Sequence, residues 1–478
     1  MLSKFHLSFK EDISLTEPAE NSITIQSPRI KGNIPQYEFP IEQISGGLLK
    51  AIKTLAAEGA TEEYLSDLVL QTDGVSELTK FYYYLQKFIN LGMICQTVLA
   101  EGLPLARRSP LYPNDQFELK EVAVDKKYVL SRFAYCHRKQ EQLVLECPLA
   151  SAEIILADGR GAALVVELAK PQTCQEVGNK VAGISQETIQ QFFTLLLSSE
   201  MLVQVAEDGK VEEEKSAPLA YWEFHDLLFH SRIRRGRHGN PVGKTFRFLD
   251  KLEQPPMVKP KVCEDIIELY KPDIEKLKEE DSPFSWVLEK RQSIRSYHEQ
   301  PITDRQLGEF LFRCARNKRF ISKDYGECVH RPYANGGGRY ELEIYAIVNT
   351  CENLDSGIYL YYPEDHQLGR LTGRTPQVET LLEESYLATG KACKAQVLFI
   401  FAARFPRVAW VYESIAYSIV LKDVGSLQQT MYLVATAMNL APCAIGSGNS
   451  DVFATAVGTD YYAETSVGEF ILGSQPDV

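Results

Sequence analysis

Two guanidinium groups and a hydroxyl fall within five residues at Arg291, Ser293 and Arg295, in the run Arg-Gln-Ser-Ile-Arg-Ser-Tyr that ends at Tyr297. Charge-assisted N–H donors and a serine O–H at this spacing can converge on one phosphate dianion, provided the chain turns from helix to strand there. A short basic cluster alone is more often a solvated surface run. Further on stands Tyr333-Ala-Asn335-Gly336-Gly337-Gly338-Arg339, a glycine-rich turn that feeds a β-branched and aromatic strand. Without Cβ atoms, such a turn lets backbone approach a planar ligand closely. A second glycine set, Gly446-Ser447-Gly448, follows near the end. Tyr412 is the candidate for proton handling; with an ordinary pKa near 10 it needs a cationic neighbour or a relay to act as a base near neutral pH.

These groups need a scaffold. Ser285 to Arg291 reads as a helix running into the first cluster, and Pro301 to Arg316 as a core-facing helix that starts near Thr303-Asp304. The apolar run Val397 to Ala403 reads as a buried strand, and a tight hairpin is expected at Pro363 to Leu368. The segment Trp410 to Tyr417 is expected to open a long helix region through Lys422, Leu427 and Met438, and a terminal strand covers Glu469 to Leu472. Upstream, Pro255, Pro256 and Pro260 mark an extended linker before a helix expected at Cys263 to Tyr270.

The bulk numbers set the frame. A chain of 478 residues with 45% hydrophobic and 24% charged residues is globular and holds more than one domain. Its net charge of −13 argues against bulk attraction to nucleic acid or an anionic membrane. No apolar run approaches membrane-spanning length, and the N-terminus lacks an apolar signal core. Ten cysteines without a CxxC pair favour reduced thiols in a cytoplasmic protein over a zinc site or a disulfide framework, so no metal is expected.

The N-terminal half repeats itself. Short strands within 21–45 lead to a helix with Leu48, Ile52 and Leu55; Thr61 opens a second, and Gly74-Val75-Ser76-Glu77 a third that ends near Gly92. About 110 positions later the series recurs through Leu164, Thr173 and Ser185, then a strand at Met201 to Val205. This pattern is a duplicated winged helix-turn-helix. The third helices are wrong for DNA: the first carries only Lys80 and Lys87, and Ser185 to Ser199 has no Lys or Arg. A structural accessory role and a peptide clamp, in which an extended segment adds to the wing strands, both remain open. Past an acidic stretch at 207–217 comes a helix with His225 and His230, spaced by five and so not on one metal-facing side. The basic run Ser231 to His238 is either a solvated loop or an anion-attracting lip.

Taken together, Arg-x-Ser-x-Arg-x-Tyr, Tyr-x-Asn-Gly-Gly-x-Arg-Tyr-x-Leu-Glu and Gly357-Ile-Tyr-x-Tyr resemble the FMN-dependent nitroreductase superfamily. More narrowly, the chain resembles the azoline oxidases of ribosomal peptide pathways. Its acidic, two-clamp first half with the His-Asp-x-x-x-His connector is most similar to the cyanobactin oxidases. The resemblance implies an α+β fold, with a nitroreductase-like FMN domain at 285–478, winged-helix clamp-like domains at 1–110 and 111–215, and a connector at 216–284. It places Arg291, Ser293 and Arg295 on the FMN phosphate and ribityl chain. Asn335, Gly336 and Gly337 fall beside the flavin ring across a homodimer interface, and Gly446 and Ser447 make a late contact. The implied reaction is oxidation of thiazolines or oxazolines in a heterocyclised precursor peptide to thiazoles or oxazoles, with Tyr412 handling the proton and oxygen as final acceptor. A general flavin reductase of small molecules and a non-catalytic peptide scaffold are the alternatives. There are departures: Ala334-Asn335 replaces the family's Pro-Ser, Val411 stands where these oxidases carry a lysine before the tyrosine, and a terminal basic residue on the phosphate is missing, leaving more of that work to Arg291 and Arg295.

Overall fold

The computed structural model describes residues 5–27, 38–112, 117–323 and 326–477; the first four residues and part of the 21–45 segment lie outside these. The chain divides into two compact units, Met1–Val242 and Gly243–Val478. The boundaries expected at 110, 215 and 284 follow repeat and motif patterns, and the expected connector spans the division between the units.

In the first unit the caps form where local chemistry asks for them. Thr61 accepts from the Tyr64 N–H to start the helix Glu62–Asp73. Thr173 makes a capping box with Glu176, and Ser185 caps Gln186–Ser198. Gly92 takes φ +66° just past the helix Val75–Asn90, a conformation that costs glycine little. The two copies are not independent, however. Their strands join in one antiparallel seven-stranded sheet in the order Ala60–Thr61, His6–Phe9, Ile94–Ala100, Leu103–Pro110, Ala152–Leu156, Gln142–Glu146, Tyr135–Lys139. The outer wing strand of the first copy, Leu103–Pro110, is therefore already paired with Ala152–Leu156 and offers no edge to an added peptide strand.

The third helices differ in what they leave outside. In the first copy Phe81, Leu85, Phe88 and Ile89 are buried while Tyr82 and Tyr83 are exposed. Its two lysines are engaged: Lys80 pairs with Glu77 at 2.8 Å, and Lys87 lies 3.9 Å from the centre of the Phe39 ring. In the second copy Ile189, Phe192, Phe193, Leu195 and Leu196 are all buried. On the helix Phe224–Arg232, His230 packs on Trp222 at 5.5 Å, and Arg232 bonds to Tyr135 at 2.6 Å and to Glu146. Part of the basic run is thus internal structure.

The second unit is a seven-stranded antiparallel sheet in the order Ile266–Glu268, Gln367–Thr372, Gly357–Tyr362, Leu342–Val348, Val397–Ala403, Thr465–Ser474, Leu440–Ile445. Its central strands are buried throughout because both faces are covered. Ile344, Ala346, Phe399 and Phe401 enter one core with Leu307, Leu311 and Leu427 from the helices Asp304–Ala315 and Ala416–Ala437. Tyr345, Ile347, Leu398 and Ile400 enter the other, with Leu381 and Phe453 from Pro376–Ala388 and Ser450–Val457. Thr303 caps Asp304–Ala315 with a capping box, as its sequence predicts. The expected helix at Cys263 to Tyr270 is a strand instead, Ile266–Glu268, paired with Gln367 to Gly369. Two adjacent β-branched isoleucines at a sheet edge gain more from the ladder than a short isolated helix would gain from its own bonds. Ahead of it, Arg404 and Arg407 hold the proline linker by bonds to the Pro255 and Pro256 carbonyls at 2.6–3.0 Å.

Candidate active site

The long helix Ala416–Ala437 holds several of the residues singled out from the sequence, in two clusters rather than one. The first begins where the helix Phe284–Lys290 stops, with Arg291 as its C-cap. From there the Ile294 N–H donates to the Pro442 carbonyl at 2.9 Å, which lays the segment beside the strand Leu440–Ile445. Ser293 Oγ meets the Tyr432 hydroxyl at 2.7 Å, and that hydroxyl accepts from the Ala444 N–H at 2.8 Å. The Arg291 guanidinium carbon stands 5.4 Å from the Tyr432 ring centre. Among the described residues neither Arg291 nor Arg295 forms an ion pair, so both cations keep their capacity for an anionic ligand. Gly446 and Ser447 continue the strand as exposed backbone, with open space where a Gly446 Cβ would stand. Gly448 is different: a Cβ there would collide with the Glu469 carboxylate. Burial, and then the charge of Glu384, push Glu469 up to about 7.

The second cluster surrounds the glycine turn, where Gly337 and Gly338 both adopt φ +69°. The Asn335 side-chain amide donates to Asp423 at 2.7 Å and to Glu341 at 3.0 Å, while its carbonyl oxygen accepts from the Tyr340 N–H at 2.9 Å. The Gly336 N–H donates to Asp423 at 2.9 Å. Asn335 thus clamps the turn onto two carboxyl groups. Glu341 is fully buried, and burial followed by the Glu341 charge pushes Asp423 up to about 8. Two acids this close share a proton more readily than they both ionise. A Cβ on Gly336 would strike Ile419, and one on Gly337 would strike the Tyr412 hydroxyl. Only glycine permits this approach. Tyr412 itself is buried, on the two-residue strand Tyr412–Glu413 rather than on the long helix.

The structure therefore brings Arg291 and Ser293 together on Tyr432, with Gly446 just beyond Ala444 on the neighbouring strand, and separately Asn335, Gly336, Gly337 and Tyr412. It does not bring the two groups onto one another within one chain. Asp423 and Tyr432, their contacts on the long helix, are separated by roughly 13 Å of rise and two and a half turns, on opposite sides of the helix. Four residues that the sequence reading missed hold the clusters: Tyr432, Asp423, Glu341 and Glu469. Asp423 alone carried a signal, as an acid among the apolar residues of a helix, and that signal does not name its partners.

Comparison with known proteins identifies the class. A protein of Methanocaldococcus jannaschii named as a nitroreductase is 31% identical over 189 residues, 38% of this chain and 85% of its own length. The nitroreductase family model matches residues 288–474. The chain belongs to the nitroreductase family, an oxidoreductase family that generally uses flavin. The first half is more particular: residues 1–119 match the ThcOx helix turn helix domain, and residues 128–239 match the cyanobactin oxidase ThcOx. Among solved structures, a Ralstonia eutropha protein named as a nitroreductase matches at 19% identity and TM-score 0.36, over 48% of this chain and 97% of its own. The E. coli microcin synthetase McbBCD complex with truncated pro-MccB17 matches at 16% identity and TM-score 0.33, over 49% of this chain and 88% of its own.

The residues present fit a phosphate-bearing flavin. Two cations without ion-pair partners among the described residues, an oriented hydroxyl and the open backbone at Gly446 make an anion cradle, while Gly336 and Gly337 let the turn close on Ile419 and Tyr412.

Proposed function

We propose that this chain is an FMN-dependent azoline oxidase, converting thiazolines or oxazolines in a ribosomally made peptide to thiazoles or oxazoles. The observation that carries the reading is the union, in one chain, of a nitroreductase-family region with the two ThcOx-type regions. Aromatisation removes one ring proton and one hydride. FMN, when bound, accepts the hydride and passes the two electrons to oxygen. The protein does the rest. Arg291 and Arg295 hold the phosphate, Ser293 and the Gly446-Ser447 backbone the ribityl chain, and the Asn335–Gly337 turn admits the ring. Tyr412, in contact with that turn, takes the ring proton. Because the two clusters lie at separate places on one helix, one complete site takes its phosphate cluster from one chain and its glycine turn from another, which makes the working unit a homodimer.

The precursor peptide docks on the first unit. The exposed Tyr64, Tyr82 and Tyr83 of the first copy supply apolar contact. In its seven-stranded sheet the edge strands that an added strand could extend are Ala60–Thr61 and Tyr135–Lys139. Anaerobic addition of an azoline peptide should bleach the flavin absorbance, and removing the leader segment from that peptide should raise KM. A flavin that stays oxidised overturns the reading. The nitroreductase match favours a second one, reduction of free small molecules by NAD(P)H, in which case NAD(P)H alone bleaches the flavin and the peptide has no effect.

A further inference from the structure

A tyrosine with an ordinary pKa near 10 is a poor base at neutral pH unless a positive charge stands beside it. Val411, the residue before Tyr412, supplies none. The cation comes from elsewhere in the fold. The strand Gly243–Lys244 pairs antiparallel with Tyr412–Glu413, and the register sets Lys244 directly opposite Tyr412. Directly opposed residues of an antiparallel pair project to the same face, with Cβ atoms about 5 Å apart. Lysine and tyrosine side chains are of similar length, so an ammonium launched from Lys244 has the reach to meet the phenol oxygen.

The pairing is pinned from several sides. The Thr245 N–H donates to the Val411 carbonyl at 3.1 Å, and Thr245 Oγ1 donates to the Glu413 carboxylate at 2.9 Å. Phe246 packs edge-on against Trp410 at 6.1 Å, and the Trp410 indole N–H donates to the Leu252 carbonyl at 2.9 Å. Glu413 projects to the opposite face from Tyr412, where Thr245 and Arg247, the latter at 3.9 Å, neutralise it. Other charged groups stand near the glycine turn, the buried Arg339 among them. Asp423 and Glu341 lie behind the glycine turn on Asn335, and the Arg407 guanidinium is spent on the carbonyls of Pro255, Pro256 and Arg339. The exposed Lys244 is the cation that the register presents to Tyr412.

We propose that Lys244 is the positioning residue for the reaction, its ammonium stabilising the Tyr412 phenolate that accepts the azoline ring proton. This rests on the reading of Tyr412 as the base. The transfer itself is between the ring carbon and the phenolate oxygen; Lys244 keeps its proton throughout and supplies only charge.

The test is a titration, read without turnover. Ultraviolet difference spectra of the full-length wild-type protein against its Tyr412→Phe variant isolate the ionisation of that one phenol. The same difference is then taken in a Lys244→Gln background and in a Lys244→Arg background. Lys244→Gln should raise the pH of Tyr412 ionisation by about one unit or more, and Lys244→Arg should restore most of the wild-type value. In azoline oxidation the rise of the kcat–pH profile should move with it. An ionisation of Tyr412 that is the same in wild type and Lys244→Gln overturns the proposal, whatever the activity. If the wild-type protein oxidises no azoline yet the phenol titration shifts as stated, the coupling stands and the azoline reading falls.

Discussion

The two clusters on the long helix Ala416–Ala437 are built on opposite electrostatic plans. Around Tyr432 lie Arg291, which forms no ion pair among the described residues, and the Ser293 hydroxyl, with the exposed Arg295 further along the same segment and exposed glycine backbone past Ala444. Around Asp423 lie two buried carboxyl groups tied to an asparagine and a glycine N–H, with Tyr412 pressed on the turn. The first offers exposed donors and positive charge, which an anion stabilises. The second is already satisfied by its own atoms and presents a shape. A ligand with a charged end and a flat neutral end matches that division, and a phosphate-bearing flavin is such a ligand.

The sharpest way to break this contrast is to remove charge from the open cluster. Replacing Arg291 and Arg295 together by Gln should weaken flavin binding by about 100-fold or more, at roughly 1.5–3 kcal/mol per charge-assisted bond, with little change in melting temperature. A flavin fluorescence titration measures this. In the closed cluster the order of effects should reverse. Asp423→Ala strands the Gly336 N–H and the Asn335 amide in the interior and should cost about 2–4 kcal/mol in denaturant unfolding, with flavin loss only as a consequence. Gly337→Ala places a Cβ against the Tyr412 hydroxyl in a left-handed backbone and should cost about 1–3 kcal/mol by the same measurement.

The smallest effect is on pH. Asp423 titrates near 8 in the fold against 3.8 as an ordinary side chain, so the folded state binds more protons between those values. Its favourable contribution is therefore complete below about pH 4 and is lost as pH rises through about 8. Glu469, raised to about 7, acts in the same direction over a narrower window. Asp423→Asn resembles the protonated acid and should flatten part of the fall in unfolding free energy between pH 5 and 8. A melting temperature that rises over this interval would contradict the assignment of the shared proton.

Much of the scaffold was legible because its causes are local. Thr61, Thr173, Ser185 and Thr303 cap helices because an oxygen at that position finds an N–H within the next turn, and Gly92 ends one because the left-handed turn needs it. Val397 to Ala403 reads as a buried strand from its composition alone. Cys263 to Tyr270 misled, because the partner that makes it a strand is a hundred residues away in the hairpin ending at Thr372. The closed edge of Leu103–Pro110 was hidden for a similar reason: nothing near it in the sequence shows that Ala152–Leu156 pairs with it.

By itself the sequence determined the candidate groups: the Arg-x-Ser-x-Arg donors, the glycine turn, the late glycines and Tyr412, together with the series of helices ahead of them. Only the tertiary structure decided how they group. It sorted them into two clusters on opposite sides of one helix, set the buried carboxyl groups of Asp423 and Glu341 beneath the glycine turn, and brought Lys244 across a ladder to Tyr412. The reason is physical. Caps and turns are satisfied within a few residues, whereas ladder registers and buried charge contacts depend on segments that meet only once the sheet has closed.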